Sequence, residues 1–363
     1  MKQYVPVLLM ITLFNCSSNP DTYTVEIIDG VRHMHNFAPL WGDEPKIRLE
    51  FVQKIGVLEG DDENYQLYRP YDVEVDENGN IYIMDMGNHR VQIYSPDGKF
   101  LSTFGRRGKG PGEFTNAFGI HIGKNGNIYV ADMSVGVHIF DSDQKYIKTL
   151  KEGVSSFWAR AISTGEIVLD KAQDKIVTLV DRDNNVVREI GSRRIYADDM
   201  MTRIGNGAAF TTDINDNIYI VFFYQNRIDK YSPGGRLVMQ IDRNLPFAET
   251  TEYKFREVTD SDGNKSKTLD VNSFSWSIEI DGKNRIWTCT MKRQRTDIEE
   301  ADNKVETYDL KFEIFDEKGI HLTDIVVDSL KNLTKFGIIN DRLFLIDPSK
   351  EMAVFEYRIV EKQ

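Results

Sequence analysis

Six histidines, two cysteines and a few strand carboxylates are what this 363-residue chain offers for chemistry. The histidines are His33, His35, His89, His121, His138 and His321, and they share no metal-site spacing. His121 and His138 alternate within strand-like runs, a pattern of packing or surface residues. Asp72, Asp213 and Glu279 fall on strands with one polar face, where acids are ordinary. Neither a Gly-x-Ser-x-Gly elbow nor a phosphate loop is present. The expectation is a chain with no catalytic residue, no metal and no cofactor. Cys289 sits in the apolar run Ile286-Trp287-Thr288-Cys289 and reads as a small core residue.

Binding chemistry is better represented. Arg106-Arg107-Gly108-Lys109-Gly110 is a compact basic loop, and Lys292, Arg293 and Arg295 stand close in sequence to Asp297, Glu299 and Glu300. His89, Arg90 and Arg227 lie just before or at the start of strand-like runs. These eight residues (His89, Arg90, Arg106, Arg107, Arg227, Lys292, Arg293 and Arg295) are the candidate binding set. A structural tie between adjacent strands is the competing role for Arg90 and Arg227. The chain carries 45 basic and 57 acidic residues, a formal charge of −12. That balance repels phosphate backbones and argues against a nucleic-acid partner.

Stepping outward from these residues, the N-terminus reads as an address. Lys2 precedes an apolar run from Val5 to Phe14, too short for a permanent span and suited to a signal core. Leu13-Phe14-Asn15-Cys16 resembles the lipobox of bacterial lipoproteins, with Phe14 and Asn15 departing from its small residues. The resemblance implies lipidation at Cys16, a membrane anchor and an extracytoplasmic location. The expected division is a signal peptide over 1–16, a tether and extension over 17–46, and a repeat domain over 47–363.

That domain repeats one pattern six times: strand, polar turn, strand, short loop, strand, turn, strand. The clearest copy holds Asn78-Gly79-Asn80-Ile81-Tyr82-Ile83-Met84-Asp85 and Val91-Gln92-Ile93-Tyr94; weaker copies follow around Ile128, Ile167, Ile218, Ile286 and Leu343. Asn-Gly and Asp-Gly pairs supply the positive φ of tight hairpins, and the β-branched and aromatic runs have strand length. Each copy predicts a four-stranded antiparallel blade, which must stack on neighbours around an axis. The last copy lacks its fourth strand. Ile47–Gly56 has the character to supply it and close the ring, giving an all-β, six-bladed propeller. Two insertions, Asn244–Asp270 and Thr290–Thr307, enlarge one rim, and long loops on a rigid scaffold are where binding usually resides.

Tyr68 to Gly105, followed by Gly108-Lys109-Gly110-Pro111-Gly112-Glu113-Phe114, resembles an NHL repeat and its linker, down to the Asn88-His89-Arg90 triplet. The whole chain resembles the six-bladed propeller lipoproteins of Bacteroidetes-like bacteria. An amidating lyase of the NHL group holds zinc with inner-strand histidines; Tyr71 and Phe118 occupy those slots here. The reading that results is a non-catalytic binding or scaffolding propeller at the cell envelope, holding a protein, peptide or glycan on the loop-bearing rim. The alternative is a calcium-assisted hydrolase or a lyase working at the channel mouth.

Overall fold

The computed structural model describes residues 21–150, 156–170, 174–302, 309–327, 333 and 335–362. Cys16 and residues 303–307 of the second insertion lie outside them. Six four-stranded antiparallel sheets follow one another along the chain. Blade one comprises Pro70–Val75, Ile81–Asp85, Arg90–Tyr94 and Phe100–Phe104; blade two, Ala117–Ile122, Ile128–Asp132, Gly136–Phe140 and Tyr146–Leu150. Blade three comprises Ala159–Ala161, Ile167–Leu169, Val177–Val180 and Val186–Ile190; blade four, Ala208–Thr212, Ile218–Phe222, Arg227–Tyr231 and Leu237–Asp242. Blade five holds Ser275–Ile280, Ile286–Met291, Leu310–Phe315 and His321–Ile325. Blade six holds Lys335–Ile339, Arg342–Asp347 and Ala353–Glu361, and its outer strand is Ile47–Ile55. The N-terminal strand therefore closes the ring as the missing fourth strand predicted. Ile47 and Ile55 are buried in that seam, and each buried isoleucine is worth roughly 1.5–3 kcal/mol against exposure.

The second strand of each blade lies between neighbouring blades and is buried on both faces. Hence Ile81–Asp85, Ile128–Asp132, Ile218–Phe222 and Ile286–Met291 are buried at every position, and their sequences are mainly apolar. Side chains from adjacent blades interlock there. Tyr82, Met84 and Ile93 of blade one meet Ile120, Val130 and Phe140 of blade two, and Ile81 and Ile83 meet Phe344 and Ile346 of blade six. In blades one, four and five the first turn is set by an aspartate. Asp76 Oδ1 accepts from the backbone N–H groups of Asn78 (2.9 Å) and Asn80 (2.8 Å), while Gly79 takes φ +85°. Asp213 does the same for Asn215 and Asn217, so it belongs to a turn and not to the polar face of a strand.

Strand alternation defines two rims. The second-to-third-strand loops and the interblade connections share the upper rim, and the other turns share the lower one. Both insertions are on the upper rim. The first forms a hairpin, Phe255–Thr259 with Lys265–Leu269; the second carries a short helix, Asp297–Ala301.

The extension, expected as a tether, holds a hairpin. Tyr23–Ile28 pairs with Val31–Asn36, which lies parallel to the outer strand of blade four, Arg32 opposite Met239 and His35 opposite Asp242. Buried Asn36 then donates to the Gly319 carbonyl (3.1 Å) and accepts from His321 N–H (2.8 Å). The N–H groups of Leu40 and Trp41 bond the outer strand of blade five before the chain joins blade six. Residues 23–55 thus belt three consecutive blades.

Candidate functional site

The inner strands line a central channel, and their sequences place different chemistry at its two ends. In three blades the second inner-strand residue is aromatic and the fifth is polar: Tyr71 and Glu74, Phe118 and His121, Trp276 and Glu279. Simple alternation would point positions three apart to opposite faces. Pairing with the second strand shifts register between Pro70 and Asp72, between Ala117 and Gly119, and between Ser275 and Ser277. The aromatic is the extra residue each time. A bulge of this kind re-aims a side chain, and here it brings the aromatics to the channel with the polar residues below them.

At the waist, Arg160 of blade three reaches both carboxylates. Its guanidinium contacts Glu74 Oε1 and lies 3.0 Å from Glu279 Oε1. His121 Nδ1 is 3.0 Å from Glu74 Oε1, and Thr211 donates to Glu279 Oε2 at 2.9 Å. Nearer the mouth, Lys335 of blade six pairs with Asp72 at 2.6 Å, and Asp72 also accepts from the N–H of Ile120 (3.0 Å). Burial alone would raise the Glu74 carboxyl, but Arg160 and His121 hold it below its ordinary value. Burial pushes Glu279 up, countered only in part by Arg160 and Lys335. A cavity of about 210 Å³ adjoins this network towards the lower rim. Two carboxylates and an imidazole do converge, yet a guanidinium occupies the centre where a cation would be bound.

At the mouth, the aromatics form an arc. Ring centroids are 4.8 Å apart for Tyr71 and Phe118, 5.0 Å for Phe118 and Phe157, and 5.7 Å for Phe157 and Trp158; across the opening, Phe223 and Trp276 are 6.2 Å apart. Blade four carries Gly207, Ala208 and Ala209 instead, and over these small residues a cavity of about 540 Å³ opens to the upper rim. Its polar lining is Asp170, Asn206, Lys175, Arg193 and Arg203. Asp170 already accepts from Ser156 Oγ and from the N–H of Phe157 (2.9 Å), and its burial raises its carboxyl. Asp85 and Asp132 make the matching contacts in blades one and two. Burial, with Asp72 and Asp170 adding to it, pushes the Tyr71 hydroxyl up to about 12.

The candidate binding residues lie elsewhere on the upper rim and do not converge. Arg90 donates to Asp85 (2.8 Å) and to the Gln66 carbonyl (2.8 Å), fastening the segment that leads into blade one. Arg227 lies over the Phe222 ring at 4.2 Å and donates to the Ser192 carbonyl (2.7 Å). Both make the structural tie. His89 has φ +56° at the end of a single 3-10 turn. Arg106 is exposed and pairs with Glu113 (2.8 Å), while Arg107 bridges its backbone to Phe114. Within the second insertion Lys292 pairs with Asp309 (3.0 Å), Arg293 with Glu299 (2.8 Å) and Arg295 with Glu300 (3.3 Å). The cavity cations were missed: Lys175, Arg193 and Arg203 belong to the loop and connection of blades three and four, where the repeat is weakest. On blade five Glu313, His321 and Asp324 lie close enough to share an ion, but Arg243 (3.1 Å from Glu313) and Lys311 (2.7 Å from Asp324) already engage the two carboxylates.

A ring of six blades closed by its N-terminal strand, with an aromatic-lined mouth above a charge-paired waist, defines a six-bladed β-propeller as the class. Residues 57–318 match DUF5128, a 6-bladed beta-propeller family, and the chain belongs to it. No curated protein sequence matches significantly. Among solved structures, a member of the duf4221 family from Bacteroides vulgatus aligns at 11% identity over 88% of this chain and 99% of its own, TM-score 0.59. A putative exported protein from Bacteroides fragilis aligns at 10% identity over 88% and 96%, TM-score 0.56. Virginiamycin B lyase from Staphylococcus aureus aligns at 12% identity over 86% and 100%, TM-score 0.50. At these identities the likeness is one of fold.

Proposed function

We propose that the protein is a non-catalytic binding or scaffolding propeller of the NHL-repeat type, held at the cell envelope by a lipid on Cys16. Its binding site is the mouth on the loop-bearing rim, where it holds a protein, peptide or glycan. The observation that carries this is the mouth cavity. Its volume lies within the roughly 300–1,000 Å³ of small-ligand sites, and its walls are aromatic with a few polar groups. Saturation of the waist by Arg160 and Lys335 supports binding over metal-assisted turnover. The export-type N-terminus supports an extracytoplasmic location, in keeping with the B. fragilis neighbour described as a putative exported protein.

Immobilised protein exposed to envelope extract should retain a ligand that Tyr71→Ala/Trp276→Ala does not, with or without a chelator. Equal retention by that variant, or release on chelation, defeats the reading. The anchor is tested separately: a palmitate analogue should label the wild type and spare Cys16→Ser.

A further inference from the structure

We infer that the mouth selects organic anions carried on a ring that can stack against an aromatic face; this rests on the mouth being the binding site. The local charge runs against the rest of the molecule. Across the chain acids outnumber bases by 57 to 45, but the ionisable lining of this cavity is three cations, one carboxylate and the Tyr71 phenol. The carboxylate, Asp170, is spent on Ser156 and Phe157. The side chains of Lys175 and Arg203 are exposed and make no hydrogen bond or ion pair among the described residues. They differ in this from the waist cations, each of which meets a carboxylate. Arg193, the third, donates to the Thr202 carbonyl at 3.1 Å. The Tyr71 hydroxyl, which burial keeps protonated, is a further donor in the lining.

The apolar half of the recognition comes from Tyr71, Trp158 and Trp276, whose rings line the same cavity. Aromatic faces stack on planar π-systems and on the C–H faces of sugar rings. The cations supply charge-assisted bonds to a carboxylate or sulfonate. An aryl carboxylate and a uronic acid share this chemistry. A neutral ring would leave the cations uncompensated, and a bare anion would leave the aromatic wall unused.

The test uses two fluorescent probes of nearly one shape, anionic 1-anilinonaphthalene-8-sulfonate and its uncharged parent N-phenyl-1-naphthylamine. The wild type should bind the sulfonate at one site at least about tenfold more tightly than the parent, and added salt should erode that margin. Lys175→Ala/Arg203→Ala should cut sulfonate affinity about tenfold and leave the parent unchanged. Ala208→Trp, which fills the cavity, should abolish both. Indole-3-acetate and glucuronate as competitors separate the two sources: displacement by either supports the inference and names the ring, and displacement by neither overturns it. Displacement by inorganic phosphate alone, or equal affinity for the two probes, also overturns it. Should both probes bind equally and Ala208→Trp abolish them, the mouth stands and only its preference for anions falls. Should Ala208→Trp abolish neither, the mouth itself is the wrong site.

Discussion

The waist and the mouth of one channel use similar residues to opposite ends. At the waist Arg160 and Lys335 each meet a carboxylate, and those carboxylates gain further donors from His121, Thr211 and the backbone of Ile120. At the mouth Lys175 and Arg203 meet none among the described residues. Burying a charge is costly unless a partner and hydrogen bonds accompany it, so the waist arrangement is a condition of folding. The mouth charges keep their water and lose little by waiting. A cation's partners separate structure from recognition better than its position in the repeat does.

The largest expected effect breaks the waist. Arg160→Ala strands Glu74 and Glu279 in the channel and should cost about 3–5 kcal/mol, as removal of one member of a buried ion set does; denaturant unfolding measures it. A loss below about 1 kcal/mol would show that water already fills the waist and that the contrast drawn here is false. Next comes an asymmetry between the two carboxylates. Glu74→Gln should cost more than Glu279→Gln, because Glu74 is held ionised while burial already disfavours the charge on Glu279. The signs also set the acid response. Glu74 has a lowered folded-state value, so its stabilisation is present above the ordinary carboxylate range and lost as pH falls through that lowered value. Glu279, raised, works the other way and sheds its burial cost on protonation. Acid unfolding should therefore begin later in Glu74→Gln relative to its own neutral-pH stability than in Glu279→Gln; the reverse order would interchange their roles. The smallest effect sharpens the mouth: Lys175→Ala and Arg203→Ala should each change unfolding free energy by about 0–1 kcal/mol, the range of exposed charges. A larger loss from either would make it a structural cation like Arg90.

The fold could be read because its determinants are local. Turn aspartates and glycines, largely apolar second strands and a missing last strand each leave a mark within a few residues, and the ring followed from them. The mouth could not be read in this way. Tyr71 and Phe118 were noticed only as residues standing where another propeller has histidine. Their joint role depends on three bulges, and a bulge is a property of pairing between strands. Its trace in the sequence is an aromatic three residues before a polar group in Tyr71-Asp72-Val73-Glu74, Phe118-Gly119-Ile120-His121 and Trp276-Ser277-Ile278-Glu279. Lys175 and Arg203 carry no such trace. Proximity across blades three and four brings them together, whereas Arg90, which a motif singles out, is engaged in holding the chain.

The belt of residues 23–55 also sets where an N-terminal anchor would pull on the ring. Val31–Asn36 runs parallel to the outer strand of blade four, towards the upper rim, so its antiparallel partner begins at that rim with Tyr23 paired to Asn36. The chain therefore joins the ring on the same side as the mouth. A fully extended tether from Cys16 to Asp21 reaches at most about 18 Å. With the lipid attached as proposed, that reach would keep the upper-rim edge at blade four close to the bilayer. Ligands carried at that surface would then have the shortest way to the mouth.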